Sequence, residues 1–448
     1  MARCLVLGAG GHIGSHLVAD LLAGGHDVRA MSRSLGPIPG ATVIRGDVLD
    51  GTTLAAAMSD VDIVYHLVHS MNSTDFVRVD HRIATVVAAA AAAAGVGRLV
   101  YLGGPEPLDG PASDHLASRT AVAEIFLAGP VPALVLRASM IIGGGSASFE
   151  LLARAARGAP VVLRPSWMDN RSRPIALRDV VYHLVDAISG PAVNRAVDIA
   201  GPDTISYIDL IQRYARIAGL PWRVPVPVLG VPRSAVALAA ALTPYPSPLV
   251  RALVESLRHD LVPLSVLPPP PGGALSVDRA LRLAIGHEIP DGPSIDAAAL
   301  RDHKVTKVAA STTRLWSAIT AIGGTNGWHT LPGAWELRGA VDHLLGGIGL
   351  HHGRPTTLAV GDAVDTWTVV ERSDAESLLV LRADMKLPGT AWLSMRAVGG
   401  ARQSQYEQTV TFVPDGLLGR AYWRLQRPAH DLVFGLMARG MARAAEAG

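Results

Sequence analysis

Cysteine is nearly missing: Cys4 is the one cysteine in 448 residues. A single thiol excludes an intrachain disulfide, a cysteine metal cluster and a paired redox thiol, and it fits a reducing, cytoplasmic setting. Lysine is scarce too. Lys304, Lys307 and Lys386 are the only three, so residues 1–303 hold none. Charged residues are 17% of the chain, below the roughly 25% of an average soluble protein, and the net charge is +2 with no long block of one sign. That pattern gives no electrostatic footprint for nucleic acid, and no nucleic-acid partner is expected. Long hydrophobic runs are lacking as well. The uncharged stretch from Ser234 to Val250 carries Pro244, Pro246 and Pro248, and the run from Ile83 to Gly97 is closed by Arg82 and Arg98. Neither suits a membrane-crossing helix, which needs about 20 apolar residues, so no transmembrane span is expected and only peripheral membrane contact stays open. The chain enters a strand-like run at Arg3–Leu7 without a charged leader, which reads as not secreted.

What the chain has is apolar substance, 49% of its residues, enough to exclude intrinsic disorder. Its length implies roughly two to four domains. Over the first third, short apolar runs alternate with helical stretches. The spacing predicts strands at Arg3–Leu7, Val28–Met31, Thr42–Arg45, Ile63–Leu67, Leu99–Leu102 and Ala133–Leu136, with an Ala-rich helix through Ala88–Ala94. This is the pattern of an α/β Rossmann domain, a doubly wound parallel sheet whose ligand sits beyond the carboxyl ends of the strands.

The first such loop is Gly8-Ala9-Gly10-Gly11-His12-Ile13-Gly14. It follows a strand and opens a helix. Gly8 permits the tight turn, Gly11 the approach of backbone to a pyrophosphate, and Gly14 close packing; Gly10, His12 and Ile13 complete the phosphate-binding loop with the helix N–H groups. The second strand decides the nucleotide. An acidic residue there would accept the 2′-hydroxyl of NAD, but Ser32-Arg33-Ser34 offers a guanidinium flanked by hydroxyls, which favours the 2′-phosphate of NADP(H). Asp47 and Val48 after the third strand are expected near the adenine. Leu67, Val68 and His69 after the fourth are expected near the ribose.

These motifs, with Tyr65-His66-Leu67-Val68-His69-Ser70-Met71, Leu136-Arg137-Ala138 and Arg173-Pro174-Ile175-Ala176-Leu177-Arg178-Asp179-Val180, resemble the extended, NmrA-like branch of the short-chain dehydrogenase/reductase superfamily. The chain is similar to atypical members that carry a C-terminal domain of unknown function. The resemblance implies a nicotinamide cofactor and, in ordinary members, a tyrosine acid/base with a lysine four residues later and a serine after the fifth strand. Here the matching positions hold His115, Arg119 and Gly103-Gly104, so that mechanism does not carry over. His115 is the candidate acid or base and Arg119 the candidate for holding ribose or an anionic substrate. Tyr65, His69 and Tyr101, at strand ends, are outside candidates.

Residues 1–295 thus read as the NAD(P)-binding domain with a substrate lobe at about 139–290. Trp167, Met168, Trp222 and the Pro-rich stretch Pro221–Pro232 would wall a hydrophobic ligand or form ordinary core, Pro268–Pro271 reads as a stiff connector, and Ala280–Ile285 as a short helix. Residues 296–448 change periodicity. Strands are expected at Asp365–Arg372, Ser377–Met385, Trp392–Val398 and Gln405–Val413, then a helix from Leu417 to about Ala445. An antiparallel sheet followed by a long helix resembles the α+β helix-grip (START-like) arrangement. Trp335, Trp367, Trp392, Phe412, Tyr422 and Trp423 would line its cavity or fill its core. The loop Gly346–Arg354 reads as flexible, and its neighbouring histidines as no metal site; none is expected elsewhere. The functional reading is an NADP(H)-binding oxidoreductase acting on a hydrophobic carbonyl or conjugated small molecule. The alternative is a non-catalytic NADP(H) sensor or a carrier of a lipid or other hydrophobic ligand.

Overall fold

The computed structural model describes residues 1–447 except 72, 74, 108–111, 159–160, 222, 229–245, 264, 287–291, 294–298, 324–326, 330–357 and 386. Trp222, Pro232 at the end of the Pro-rich stretch, Trp335, the loop Gly346–Arg354 and the position of the expected domain boundary near 295 lie outside the described residues. The chain forms two compact units, one of Met1–Tyr214 with Val224–Ala284, the other of Ala215–Arg223 with Ile285–Gly448.

The first unit is built on seven parallel strands: β1 (Arg3–Leu7), β2 (Asp27–Ser32), β3 (Ala41–Arg45), β4 (Ile63–His66), β5 (Arg98–Gly103), β6 (Ala133–Arg137) and β7 (Arg195–Asp198). Their order across the sheet is β7-β6-β5-β4-β1-β2-β3, a doubly wound Rossmann sheet with its switch point between β1 and β4. The strands read as continuous apolar runs because helices cover both faces. In β1, Cys4 and Val6 point to one face, packed with Leu17, Val18 and Leu21 of α1 (His12–Ala23), while Leu5 and Leu7 point to the other, packed with Val87 and Ala91 of α3 (Phe76–Ala93). Leu5, Val6 and Leu7 have no exposed surface, and each such side chain contributes about 1.5–3 kcal/mol.

Two features depart from simple alternation. No helix joins β2 to β3; residues 33–40 cross as an extended loop with Pro37 and Pro39. β7 comes from a short segment with charged ends and closes the sheet beside β6, while α2 (Gly51–Met58) and α4 (Asp114–Ala128) complete the first layers. The lobe between β6 and β7 and beyond is made of helices and two-stranded pairs, such as Val161–Pro165 with Val224–Val228, and the expected short helix spans Val277–Ile285. Trp167 and Met168 sit half-buried on a single 3-10 turn, Ser166–Asp169.

The second unit is a separate antiparallel sheet with a helix. Its strands are β8 (Leu300–Val308), β9 (Ala363–Val364), β10 (Trp367–Ser373), β11 (Leu378–Ala383), β12 (Gly389–Gly399) and β13 (Ser404–Pro414), in the order β8-β13-β12-β11-β10-β9. β8, alternating Leu-Arg-Asp-His-Lys-Val-Thr-Lys-Val, is a strand the apolar pattern alone does not reveal. The C-terminal helix Gly416–Ala447 is held by Gln408 Nε2, which donates to the Phe434 carbonyl at 3.3 Å, and by Glu446, which accepts from the Ala309 N–H at 2.9 Å. Trp367, Trp392, Phe412 and Trp423 are buried, and Phe412 stacks on Trp423 with ring centres 5.5 Å apart and planes 7° from parallel. No described helix is long and apolar enough to cross a membrane.

Candidate functional site

The loop after β1 is held by backbone. Gly8 N–H donates to Met31 O at 3.0 Å and Gly11 N–H to Gly8 O at 2.9 Å. Gly8 has φ +87°, and a Cβ there would stand 2.9 Å from Leu67 O, so the loops after β1 and β4 meet at the switch point. A Cβ on Gly14 would stand 2.3 Å from Gly8 O, and one on Gly10 3.1 Å from Ser32 Oγ. Gly8, Gly10, Gly11, Gly14, Ser32 and Leu67 are therefore gathered in one place, with Val68 next to them.

No side chain caps α1, and its first intrahelical bond runs from Ser15 N–H to Gly11 O. The N–H groups of His12, Ile13 and Gly14 have no acceptor among the described residues, leaving a bare, positively polarised helix end. The His12 ring stands over Gly143 and Gly145, and its buried Nε2 has no hydrogen-bond partner among the described residues. This bare cradle suits a pyrophosphate. Arg33 and Ser34 are exposed, and Arg33 makes no hydrogen bond or ion pair among the described residues. Asp47 is engaged in its own turn, accepting from Leu49 N–H at 2.9 Å, and Val48 is buried in the core between sheet and helices.

A second cluster lies on α4, beside the ends of β4 and β5. Ser113 caps α4, accepting from Leu116 N–H at 3.4 Å, and the next turn carries His115 and Arg119 on one face. His115 Nδ1 is 2.8 Å from Ser256 Oγ, and that hydroxyl donates to the Ala252 carbonyl at 2.9 Å. With its proton committed, Ser256 accepts from Nδ1–H, which leaves Nε2 as the acceptor that faces Arg119 Nε at 3.5 Å. The ring is thereby a neutral Nδ1–H tautomer. Burial, then the Arg119 charge and His69, push its pKa down to about 3. Desolvation in the crevice, then Arg119, push His69 down to about 4, although much of that residue still meets solvent. His69, expected near the ribose, thus joins the His115–Arg119 pair.

Arg119 NH1 is 3.4 Å from the Tyr101 hydroxyl. Tyr101 and Tyr65 are buried, at 1% and 0% exposure. Ser256 was not legible as a partner of His115: 141 residues separate them, and a serine in an apolar helix carries no signal of its own.

An NAD(P)H-binding family model matches residues 8–127, and a model described as a protein of unknown function (DUF2867) matches residues 294–437. The chain is 30% identical over 261 residues to (4-alkanoyl-5-oxo-2,5-dihydrofuran-3-yl)methyl phosphate reductase of Streptomyces griseus, covering 57% of this chain and 86% of that one. It is 28% identical over 259 residues to 2-alkyl-3-oxoalkanoate reductase of Stenotrophomonas maltophilia, covering 44% and 78%. Similarity to 3-beta-hydroxysteroid dehydrogenase of Mycolicibacterium neoaurum, 36% identical, runs over 69 residues, 15% of this chain and 19% of that protein. Among solved structures, the Bordetella bronchiseptica enzyme WbmH in complex with NAD+ is similar at 20% identity and TM-score 0.45, over 58% of this chain and 99% of that one.

Proposed function

The chain belongs to the NAD(P)-binding short-chain dehydrogenase/reductase family and carries a C-terminal DUF2867 domain, and from that premise we propose that it is an NADP(H)-dependent reductase of an apolar carbonyl or conjugated small molecule. The observation that carries this reading is the bare cradle between β1 and β4, where the N–H groups of His12, Ile13 and Gly14 face a space that glycines keep open. Ser32, Arg33 and Ser34 would hold the 2′-phosphate, since no carboxylate stands there to accept a 2′-hydroxyl. Asp47 and Val48 would border the adenine, and Leu67, Val68 and His69 the ribose.

A bound nicotinamide would supply the hydride. The substrate end is assigned to His115 and Arg119. In its neutral Nδ1–H form His115 has no proton on Nε2 to give, so the proton reaching the reduced substrate comes from water, and His115 orients the guanidinium through Nε. Arg119 keeps a standing positive charge where negative charge develops. The names of the two longer relatives denote reductases of a 2-alkyl-3-oxoalkanoate and of a (4-alkanoyl-5-oxo-2,5-dihydrofuran-3-yl)methyl phosphate, both oxo compounds with an alkyl or alkanoyl group, which supports a carbonyl or conjugated substrate with an apolar part. The first unit is taken as NmrA-like and the second as a START-like binder of a hydrophobic ligand, with the boundary near residue 295 and a cytoplasmic setting. A second reading, a non-catalytic NADP(H) sensor or carrier, is favoured by the missing lysine before residue 304.

The test is titration with NADPH and NADH, followed by incubation of the NADPH-loaded protein with a panel of apolar ketones, enones and oxo acids while nicotinamide absorbance is followed. Oxidation with any member supports the reductase. Tight NADPH binding without oxidation across the panel turns the case to the sensor or carrier, and equal affinity for NADH and NADPH sinks the NADP assignment.

A further inference from the structure

Arg119 is a half-buried guanidinium with no counter-ion among the described residues. No carboxylate lies within ion-pair distance of it among the described residues, and its two hydrogen-bond partners, Tyr101 OH at 3.4 Å and His115 Nε2 at 3.5 Å, are both neutral and both long. Most of its N–H donors have no protein partner among the described residues. The carboxylate whose charge reaches it, Asp80, makes no ion pair with it and is engaged elsewhere, its Oδ1 accepting from the Ser70 N–H and the Ser70 hydroxyl, each at 2.7 Å. Removing a cation from water without an opposite charge is costly, and folds tolerate it where a ligand supplies that charge.

The surroundings add to the case. His66 and His115 feel this charge and are held neutral, first by desolvation and then by Arg119, so neither adds a second positive charge beside it. Beside it β5 ends at Gly103 and the chain continues as Gly104, where a Cβ would stand 3.5 Å from Arg119 Cγ, so the stem is bordered by bare chain. The cofactor cradle has its own anion-binding N–H groups at α1, leaving Arg119 for another charge.

We propose that Arg119 anchors a carboxylate of the substrate, so that the molecule reduced is an apolar oxo acid rather than a neutral ketone; this rests on the reductase reading above. A planar, singly charged carboxylate matches the fork of one guanidinium. A phosphate monoester matches less well, because its second charge would meet the field of Asp80 with no second cation to offset it.

The experiment is calorimetric titration of the full-length, NADP+-loaded protein with 3-oxodecanoate, with 2-nonanone, which keeps the ketone and most of the chain but lacks the acid, and with decyl phosphate. The wild-type protein is expected to bind 3-oxodecanoate at least about tenfold tighter than the other two. Arg119→Met should erase the difference while NADPH affinity stays within about twofold, and Arg119→Lys should restore part of it. Equal binding of acid and ketone by the wild-type protein overturns the proposal, and needs no variant to do so. So does a preference that survives in Arg119→Met, a tighter grip on decyl phosphate, or a collapse of NADPH affinity in Arg119→Met, which would assign the charge to the cofactor. Failure of NADPH to be oxidised by either carbonyl compound counts against the reductase reading alone and leaves the binding preference to be judged by itself.

Discussion

The imidazole of His66 meets the ring of Phe126 edge-on, centroids 5.1 Å apart at 70°, and its Nδ1 has no hydrogen-bond partner among the described residues. It is 1% exposed, and burial, then the charge of Arg119 and, least, the neighbouring His69, hold its pKa down to about 3. A histidine depressed in the folded state stays neutral there while the unfolded chain takes up a proton below its ordinary value near 6.5. Stability is therefore complete above that pH and lost as pH falls toward 3, at about 1.4 kcal/mol per unit for such a group. The expected result is a urea midpoint that drops between pH 7.5 and pH 5. His66→Phe should lessen that drop by the share of one histidine, His115 and His69 supplying slopes of the same sign, and an unchanged slope would show that the ring is not among the groups that titrate.

Gly14→Ala brings its new methyl against backbone, with Gly8 O at 2.3 Å and Ala9 Cα at 2.9 Å, and neither atom can swing aside. The loop must move. NADPH affinity is expected to fall by at least about tenfold, read by fluorescence titration. Gly51→Ala, with nothing within 4 Å, should bind as the wild type does.

Arg33 is exposed and engaged with nothing else among the described residues, so its replacement should cost the fold little. Arg33→Glu is expected to weaken NADPH by about tenfold or more while NADH changes little or improves, because the new carboxylate repels a 2′-phosphate and accepts a 2′-hydroxyl. Equal losses for both cofactors would contradict the assignment.

Trp423→Ala removes a buried ring stacked on Phe412 and should cost the second unit about 3–5 kcal/mol. NADPH titration should be unchanged, since the cradle belongs to the other unit. A thermal scan should show the melting of the second unit shifting down alone; loss of NADPH binding would mean that the two units fold as one.

The parallel sheet was legible because its strands are buried on both faces and so appear as unbroken apolar runs, as in Leu5-Val6-Leu7. β7 and β8 were not. Arg195-Ala196-Val197-Asp198 is too short and too polar at its ends, and β8 carries Arg301, Asp302, Lys304 and Lys307 on an alternating strand that no apolar run marks. The tight loop after β1 was readable because glycine spacing is itself a steric statement, borne by Gly8 and Gly14. The second cluster was readable only in part: helix spacing puts His115 and Arg119 on one face, but the proton direction depends on Ser256, brought in by a fold contact across 141 residues.

The position of β7 bears on how the protein can be dissected. The NAD(P)H-binding family match ends at residue 127, inside α4, yet the sheet goes on through β6 and is closed only at Asp198. A fragment cut at the match would leave the apolar strand Arg98–Gly103 as an unpaired edge, and one cut after Arg137 would bare Ala133–Arg137 instead. Both invite strand-to-strand aggregation. A soluble truncation of this half has to carry the chain past residue 198, which makes the lobe between β6 and β7 part of the smallest expressible unit.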